Sequence, residues 1–242
     1  MKKSAFYKLS PILIFSAAVF VLPIKAESSK PVALVVKTSG VSTLQRGSKS
    51  SPLRVNDLVM SGDRIQTKKN GSVNLQFSTG VIFMIGSNTS DTDVRVTKFE
   101  KSSGSQEIGL EMLKGSLAAS SEKLAKKDRI QINTPTAIAG VRGTEFIIDC
   151  DQDSSEVLVN EGLVAVSDTE AKEEIMVEPG KKVVADTKGF QLEVLDKFEK
   201  QRFDIIKAME ESRQKNMEAL IEQIERDKKT LEGVKNPFDS MG

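Results

Sequence analysis

The 242-residue chain has no histidine and no tryptophan, one cysteine and one tyrosine. Without histidine there is no Ser-His or Cys-His nucleophile system, no imidazole metal ligand and no histidine pH switch. Catalysis would have to rest mainly on carboxylates or lysine. A lone Cys150 excludes an internal disulfide. It shares strand parity with Phe146 and Ile148, which makes it a small core residue rather than a reactive thiol. The one tyrosine, Tyr7, lies in the leader described next, so the rest of the chain lacks the aromatic stacking set of a single-strand nucleic-acid binder. No P-loop, no G-x-S-x-G and no cysteine cluster occurs, and no cofactor is implied.

What is present begins with a basic start, Met1-Lys2-Lys3 and Lys8, then a broken apolar run from Leu9 to Ile24, then Ala26. This is the layout of a secretory signal peptide, 1–26, with cleavage after Ala26. An uncleaved anchor is the alternative, but the run falls short of the ~20 apolar residues of a spanning helix. Removing Lys2, Lys3, Lys8 and Lys25, with no acids, turns the formal charge of +1 into −3. That balance gives no long-range field for nucleic acid. The expected location is the periplasm, with no membrane span after cleavage.

From about Pro31 the chain reads as many short strands separated by glycine turns. Val73, Leu75 and Phe77 alternate with polar residues, and Ile130 and Ile132 do the same. Val81–Ile85 is apolar on both parities, as a central strand covered on both faces would be. The reading is mainly β: a sandwich or solenoid-like all-β domain over 27–188. Two stretches fit the strand pattern poorly. Ser87–Asp93 reads as a polar turn. Ala118–Glu122 reads as a lead into a loop or helical turn at Lys123–Asp128.

The chain is organised around Ile130–Cys150. Two strands are joined by a corner in which Pro135 stops ladder bonding and Gly140 and Gly143 permit a sharp turn. The run T-P-T-A-I-A-G-V-R-G-T-E-F, Thr134–Phe146, resembles the signature of FecR-like domains of bacterial envelopes. Leu58, Gly62, Asp63, Ile65 and Thr67 resemble the entry of that domain. Gly71–Phe77, Leu113–Leu117, Val159–Val164 and Val177–Gly180 continue the pattern, which covers roughly Gly40–Ala185. Thr134, Pro135, Gly140, Arg142, Gly143, Thr144 and Glu145 are the motif residues. Arg142 and Glu145 could clamp a carboxylate or phosphate. The preferred alternative is a partly buried ion pair that fixes the corner, since a buried unpaired arginine is costly. Well-known relatives in that family are membrane-spanning regulators with a cytoplasmic segment that controls a sigma factor. Only about eight residues precede the apolar run here, so that segment is not expected.

Asp149, Asp151 and Asp153 mimic the start of a calcium loop. Ser154 stands where such a loop wants glycine and Asn160 stands at its twelfth position, so a solvated hairpin tip and no metal is expected. From Gln191 to Glu232 no glycine or proline occurs, and acid-before-base pairs four apart recur. This predicts a long charged helix within 189–232, about 63 Å if unbroken, then a tail over 233–242. Its apolar face holds Phe203, Ile206, Met217, Leu220, Ile224 and Leu231, interrupted by Glu210, Arg213 and Asp227. Leu192, Leu195 and Phe198 are expected to dock on the β domain, and that domain is expected to fold without the distal helix. The rest of 191–232 could self-associate, pair with a partner helix or stay solvated.

The resulting expectation is an exported, non-enzymatic interaction module for envelope signalling or scaffolding, its protein partner unspecified. The alternatives are a structural envelope protein assembling through its helix, and a carboxylate-based enzyme or glycan binder.

Overall fold

The computed structural model describes residues 31–86, 89–103, 105–121, 128–141 and 143–211. The strands in chain order are β1 Pro31–Ser39, β2 Ser42–Arg46, β3 Lys49–Pro52, β4 Leu58–Met60, β5 Arg64–Thr67 and β6 Ser72–Phe77. Next come β7 Ile82–Ile85, β8 Thr92–Ser102, β9 Ser105–Ser120, β10 Arg129–Asn133, β11 Ile138–Val141 and β12 Glu145–Cys150. The series closes with β13 Ser154–Glu161, β14 Val164–Ser167, β15 Glu174–Val177, β16 Lys181–Asp186 and β17 Gly189–Val194. Helix α1, Lys197–Arg202, follows, and a second helical run covers 204–211.

The strands form two stacked sheets. Sheet A runs β4-β1-β6-β7-β9-β12-β13-β16-β17, antiparallel throughout. Sheet B runs β3-β2-β5-β8-β9-β10-β11-β14-β15, with one parallel pair, β9 to β10. Both ends are open, so the domain is a sandwich and not a closed barrel. Alternation puts one parity of each strand inside. Leu75, Phe83, Leu117, Phe146, Ile148 and Val157 from sheet A meet Ile65, Val96, Leu110, Ile132, Val141 and Val166 from sheet B in one buried core.

Strand β9 belongs to both sheets. Its first part pairs with β8 and β10, its last part with β7 and β12. The inward parity changes from Ile108, Leu110 and Met112 to Leu117 and Ala119. The change happens at Gly115, which has φ +101 and where an added Cβ would lie 2.5 Å from Thr92 Cα. Only glycine fits a strand that crosses between sheets against a backbone this close. Ala118–Ser120 are therefore strand residues, contrary to the sequence expectation. Their small side chains suit a strand covered on both faces, with Ala119 in the inner core and Ala118 under the helix. The expected loop at 123–128 lies largely outside the described residues.

The outer face of sheet A carries a second apolar layer. Ile82, Ala118, Ile147 and Leu158 meet Leu195, Phe203, Ile206 and Met209, with Met84 packed against them. The two-faced reading of Val81–Ile85 holds for this reason: Phe83 and Ile85 point inward, Ile82 and Met84 outward beneath the helix. The helix begins later than its sequence pattern suggests. Residues 189–194 form the sheet-edge strand β17, and Asp196 starts α1 with a capping box. Its side chain accepts from Glu199 N at 2.8 Å, and Glu199 accepts from Asp196 N at 2.8 Å. Of the three expected docking residues only Leu195 is buried, at 3% exposure; Leu192 and Phe198 are exposed at 44% and 77%. Residues 212–242, with Met217, Leu220, Ile224 and Leu231, lie outside the described residues, as does the leader.

Candidate functional site

The signature run is the connection that carries the chain from sheet B to sheet A. β10 and β11 are a hairpin closed by Thr134-Pro135-Thr136-Ala137. Thr134 N donates to Ala137 O at 2.8 Å, with proline at the second position where its fixed φ suits a turn. A line of hydroxyls locks it. Thr136 Oγ1 donates to Ser155 Oγ at 2.7 Å, Ser155 Oγ to Thr134 Oγ1 at 2.7 Å, and Thr134 Oγ1 to Ala137 O at 2.9 Å. Ser155 is wholly buried on β13. Thr134 thus ties the hairpin of one sheet to a strand of the other.

The turn into sheet A occurs at Gly143, with φ +63. Thr144 N donates to Ser121 Oγ at 3.1 Å, and Ser121 N to Thr144 O at 3.2 Å. The loop at Gly162 presses on this corner: a Cβ there would sit 2.5 Å from Gly143 O and 2.4 Å from Thr144 Cγ2. Gly140 does not share in the turn. It lies within β11 on the outer face of sheet B, and a Cβ added there would meet nothing nearer than 3.7 Å. The expected paired role of the two glycines is therefore corrected: Gly143 bends the backbone and Gly140 does not. Arg142 lies outside the described residues. Glu145 is half-buried and accepts from Asn160 Nδ2 at 2.7 Å. Burial pushes its carboxyl above the usual range; Glu210 and Glu161 add to this, while Asn160 and Lys207 oppose it. Ser120, beside Glu145 in register, donates to Glu210 Oε1 at 2.6 Å, so the corner also touches the helical run.

The entry motif holds a partly buried ion pair. Asp63 is buried at 1% exposure and accepts from Arg46 Nε at 2.8 Å and Nη2 at 2.7 Å, and from Met60 N at 2.8 Å. The bidentate fork offsets the cost of burying the carboxylate.

A groove of about 960 Å³ runs beside the helix on the outer face of sheet A. Met84, Ala118, Ile147 and Ile205 give it an apolar floor, and Asp149, Asp151, Glu156 and Arg202 line its rim. Arg202 donates to Asp149 through both terminal nitrogens, at 2.6 and 2.9 Å. Asp151 Oδ1 accepts from Asp153 N at 2.9 Å and Ser154 N at 2.8 Å, making the aspartate run the tip of the β12–β13 hairpin. Among the described residues no group of three or more acidic or cysteine side chains is placed to hold a metal ion. Cys150 is buried, and its burial pushes the thiol up to about 12. Sequence reasoning singled out Asp149 but missed the groove, because Arg202 lies fifty-three positions away in a helix docked across the sheet.

These features define the chain as an open β-sandwich whose glycine corners carry strands between two sheets. Residues 63–165 match the family described as FecR protein. The matched region runs from β5 to β14; Leu58, Gly62 and Val177–Gly180, which resemble the same pattern, flank it. Two solved structures, both of a proposed anti-sigma factor from Parabacteroides distasonis ATCC 8503, resemble it at 17% identity, with TM-scores of 0.44 and 0.45. They cover 54% and 55% of this chain, which spans 60% of the length of each. No curated protein matches. No helix among the described residues is long and apolar enough to cross a membrane.

Proposed function

We propose that this chain is an exported, non-catalytic FecR-domain module of the cell envelope that acts by protein–protein contact in signalling. The observation that carries this reading is the FecR match over 63–165. The geometry agrees with it: the signature residues Thr134, Pro135, Gly143, Thr144 and Glu145 serve the corner between sheets, and the groove carboxylates Asp149 and Asp151 are engaged by Arg202 and by backbone N–H groups. The groove beside the helix is the surface to which we assign partner contact. Its apolar floor suits a segment with an apolar anchor. In the scaffold reading, assembly through the C-terminal helix, Phe203, Ile206 and Met209 are already packed on the chain's own sheet.

The test has two parts. Intact mass and N-terminal sequencing of protein from the periplasmic fraction should give a chain beginning at Glu27. A photo-reactive residue at Ile205 should cross-link one envelope protein, and Met84→Asp, at the half-buried part of the floor, should abolish that product in a chain that keeps the parent's circular dichroism. Recovery in the cytoplasm, or hydrolysis of envelope glycan by the purified chain, would overturn the proposal.

A further inference from the structure

The edges of the two sheets are not alike. β3 is short, fully exposed and polar, and ends at Pro52, which offers no N–H; β4 has three residues. These are edges protected against pairing. β17 has six residues, no proline, and apolar side chains at Phe190, Leu192 and Val194. Phe190 packs on the inner core. Leu192 and Val194 share its parity but are exposed at 44% and 72%, because sheet B stops at β15 and leaves this end of sheet A overhanging.

The hydrogen-bond parity of β17 follows from its hairpin. β16 and β17 are joined through Thr187-Lys188 and close on the pair Asp186 and Gly189. In a two-residue hairpin the closing pair is hydrogen-bonded, so Gly189, Gln191 and Glu193 spend their N–H and C=O groups on β16. Leu195 N, next in that parity, donates to Gly180 O at 2.9 Å on the same side. The N–H and C=O groups of Phe190, Leu192 and Val194 therefore face away from the sheet. Among the described residues nothing pairs with them.

We propose that β17 is a self-association edge, at which a second copy of this chain adds its own β17 antiparallel across a two-fold axis at Leu192. The register is self-complementary. Leu192 faces Leu192 of the second copy, and Phe190 faces Val194 of the second copy, each as a hydrogen-bonded pair, so all three free residues are used at once. The inner-face side chains then cover one another in the overhang left by sheet B. On the opposite face Gln191 stands against Glu193 of the second copy, an amide donor against a carboxylate, with no like charges opposed. The interface is independent of the groove and of the signalling role.

The test uses the purified full chain at about 100 µM, by sedimentation and light scattering. The expected mass is that of a dimer. Leu192→Lys sets two ammonium groups on the axis while leaving the bonds to β16 intact, so it should give a folded monomer whose melting temperature no longer depends on protein concentration. In a second arm, Leu192→Cys treated with a short bismaleimide should give a cross-linked dimer. Val41→Cys, more accessible at 63% exposure but remote from β17, should not. A monomeric parent, a dimer that survives Leu192→Lys, or equal cross-linking of the two cysteine variants would overturn the proposal. Because the second arm reads position rather than stability, it decides the matter even if Leu192→Lys fails to fold.

Discussion

The two outer faces of the sandwich have opposite fates. That of sheet B is open and carries a ladder of charges: Arg64 donates to Asp93, Lys98 to Glu107, and Arg95 stands 3.8 Å from Glu111. That of sheet A carries Ile82, Ala118, Ile147 and Leu158, and the chain returns over it as a helix. Strands of the same class make both sheets. The outward parity decides whether a sheet ends at water or needs a further layer.

That difference can be tested most severely by removing the cover. Truncation after Lys200 discards Phe203, Ile206 and Met209, buried to 2%, 0% and 3% exposure. At ~1.5–3 kcal/mol per side chain the loss is on the order of 5 kcal/mol, or roughly 10–20 °C in melting temperature. The truncated chain should bind a hydrophobic dye or aggregate. This reverses the expectation that the β domain stands without the distal helix. Melting within a few degrees of the parent would show that the outer apolar layer contributes little.

Next in size is the corner between the sheets. Gly143→Val forces a β-branched residue to φ +63, and should cost ~1–3 kcal/mol in chemical denaturation. The matched change Gly140→Val, on the open face of sheet B, should cost much less, since no atom lies within 3.4 Å of the added Cβ.

A smaller effect separates the ion pairs of the two faces. Arg202→Ala breaks the bidentate pair with Asp149 that pins the helix, and should cost ~0.5–1 kcal/mol in urea unfolding. Lys98→Ala on the open ladder should stay within ~0.5 kcal/mol of the parent.

The smallest prediction concerns Glu145. Folding raises its carboxyl pKa, chiefly through burial. A raised folded pKa means that the native state holds this proton more tightly. Its contribution to stability is full at low pH and is lost as pH rises from about 4.5 through the folded value. Glu145→Gln should therefore melt slightly higher than the parent at pH 7, and the gap should close below pH 4.5. A gap that widens on acidification would show that the ionised form is the stabilised one.

Much of this architecture is legible in the residues. Alternation located Ile130–Asn133 and Ser72–Phe77, and the double parity of Val81–Ile85 announced a strand covered twice. The start of the helix was legible as well, in Asp196 and Glu199 three apart. Composition hid it, because Gln191, Leu192 and Glu193 favour a helix as readily as a strand until β16 offers them partners. Ala118–Ser120 were misread because alanine and serine carry no periodicity of their own. Only the sheet on one side and the helix on the other explain why they are small.

By itself the sequence determined the β class, the glycine punctuation and the signature order, since these follow from local φ, ψ and alternation, which act over a few residues. The tertiary structure alone decided that β9 serves both sheets, that Arg202 meets Asp149 and that β17, among the described residues, pairs only with β16. Each of those depends on which strands become neighbours, and neighbours far apart in the chain are chosen by the fit of whole faces against one another, which no short run of residues encodes.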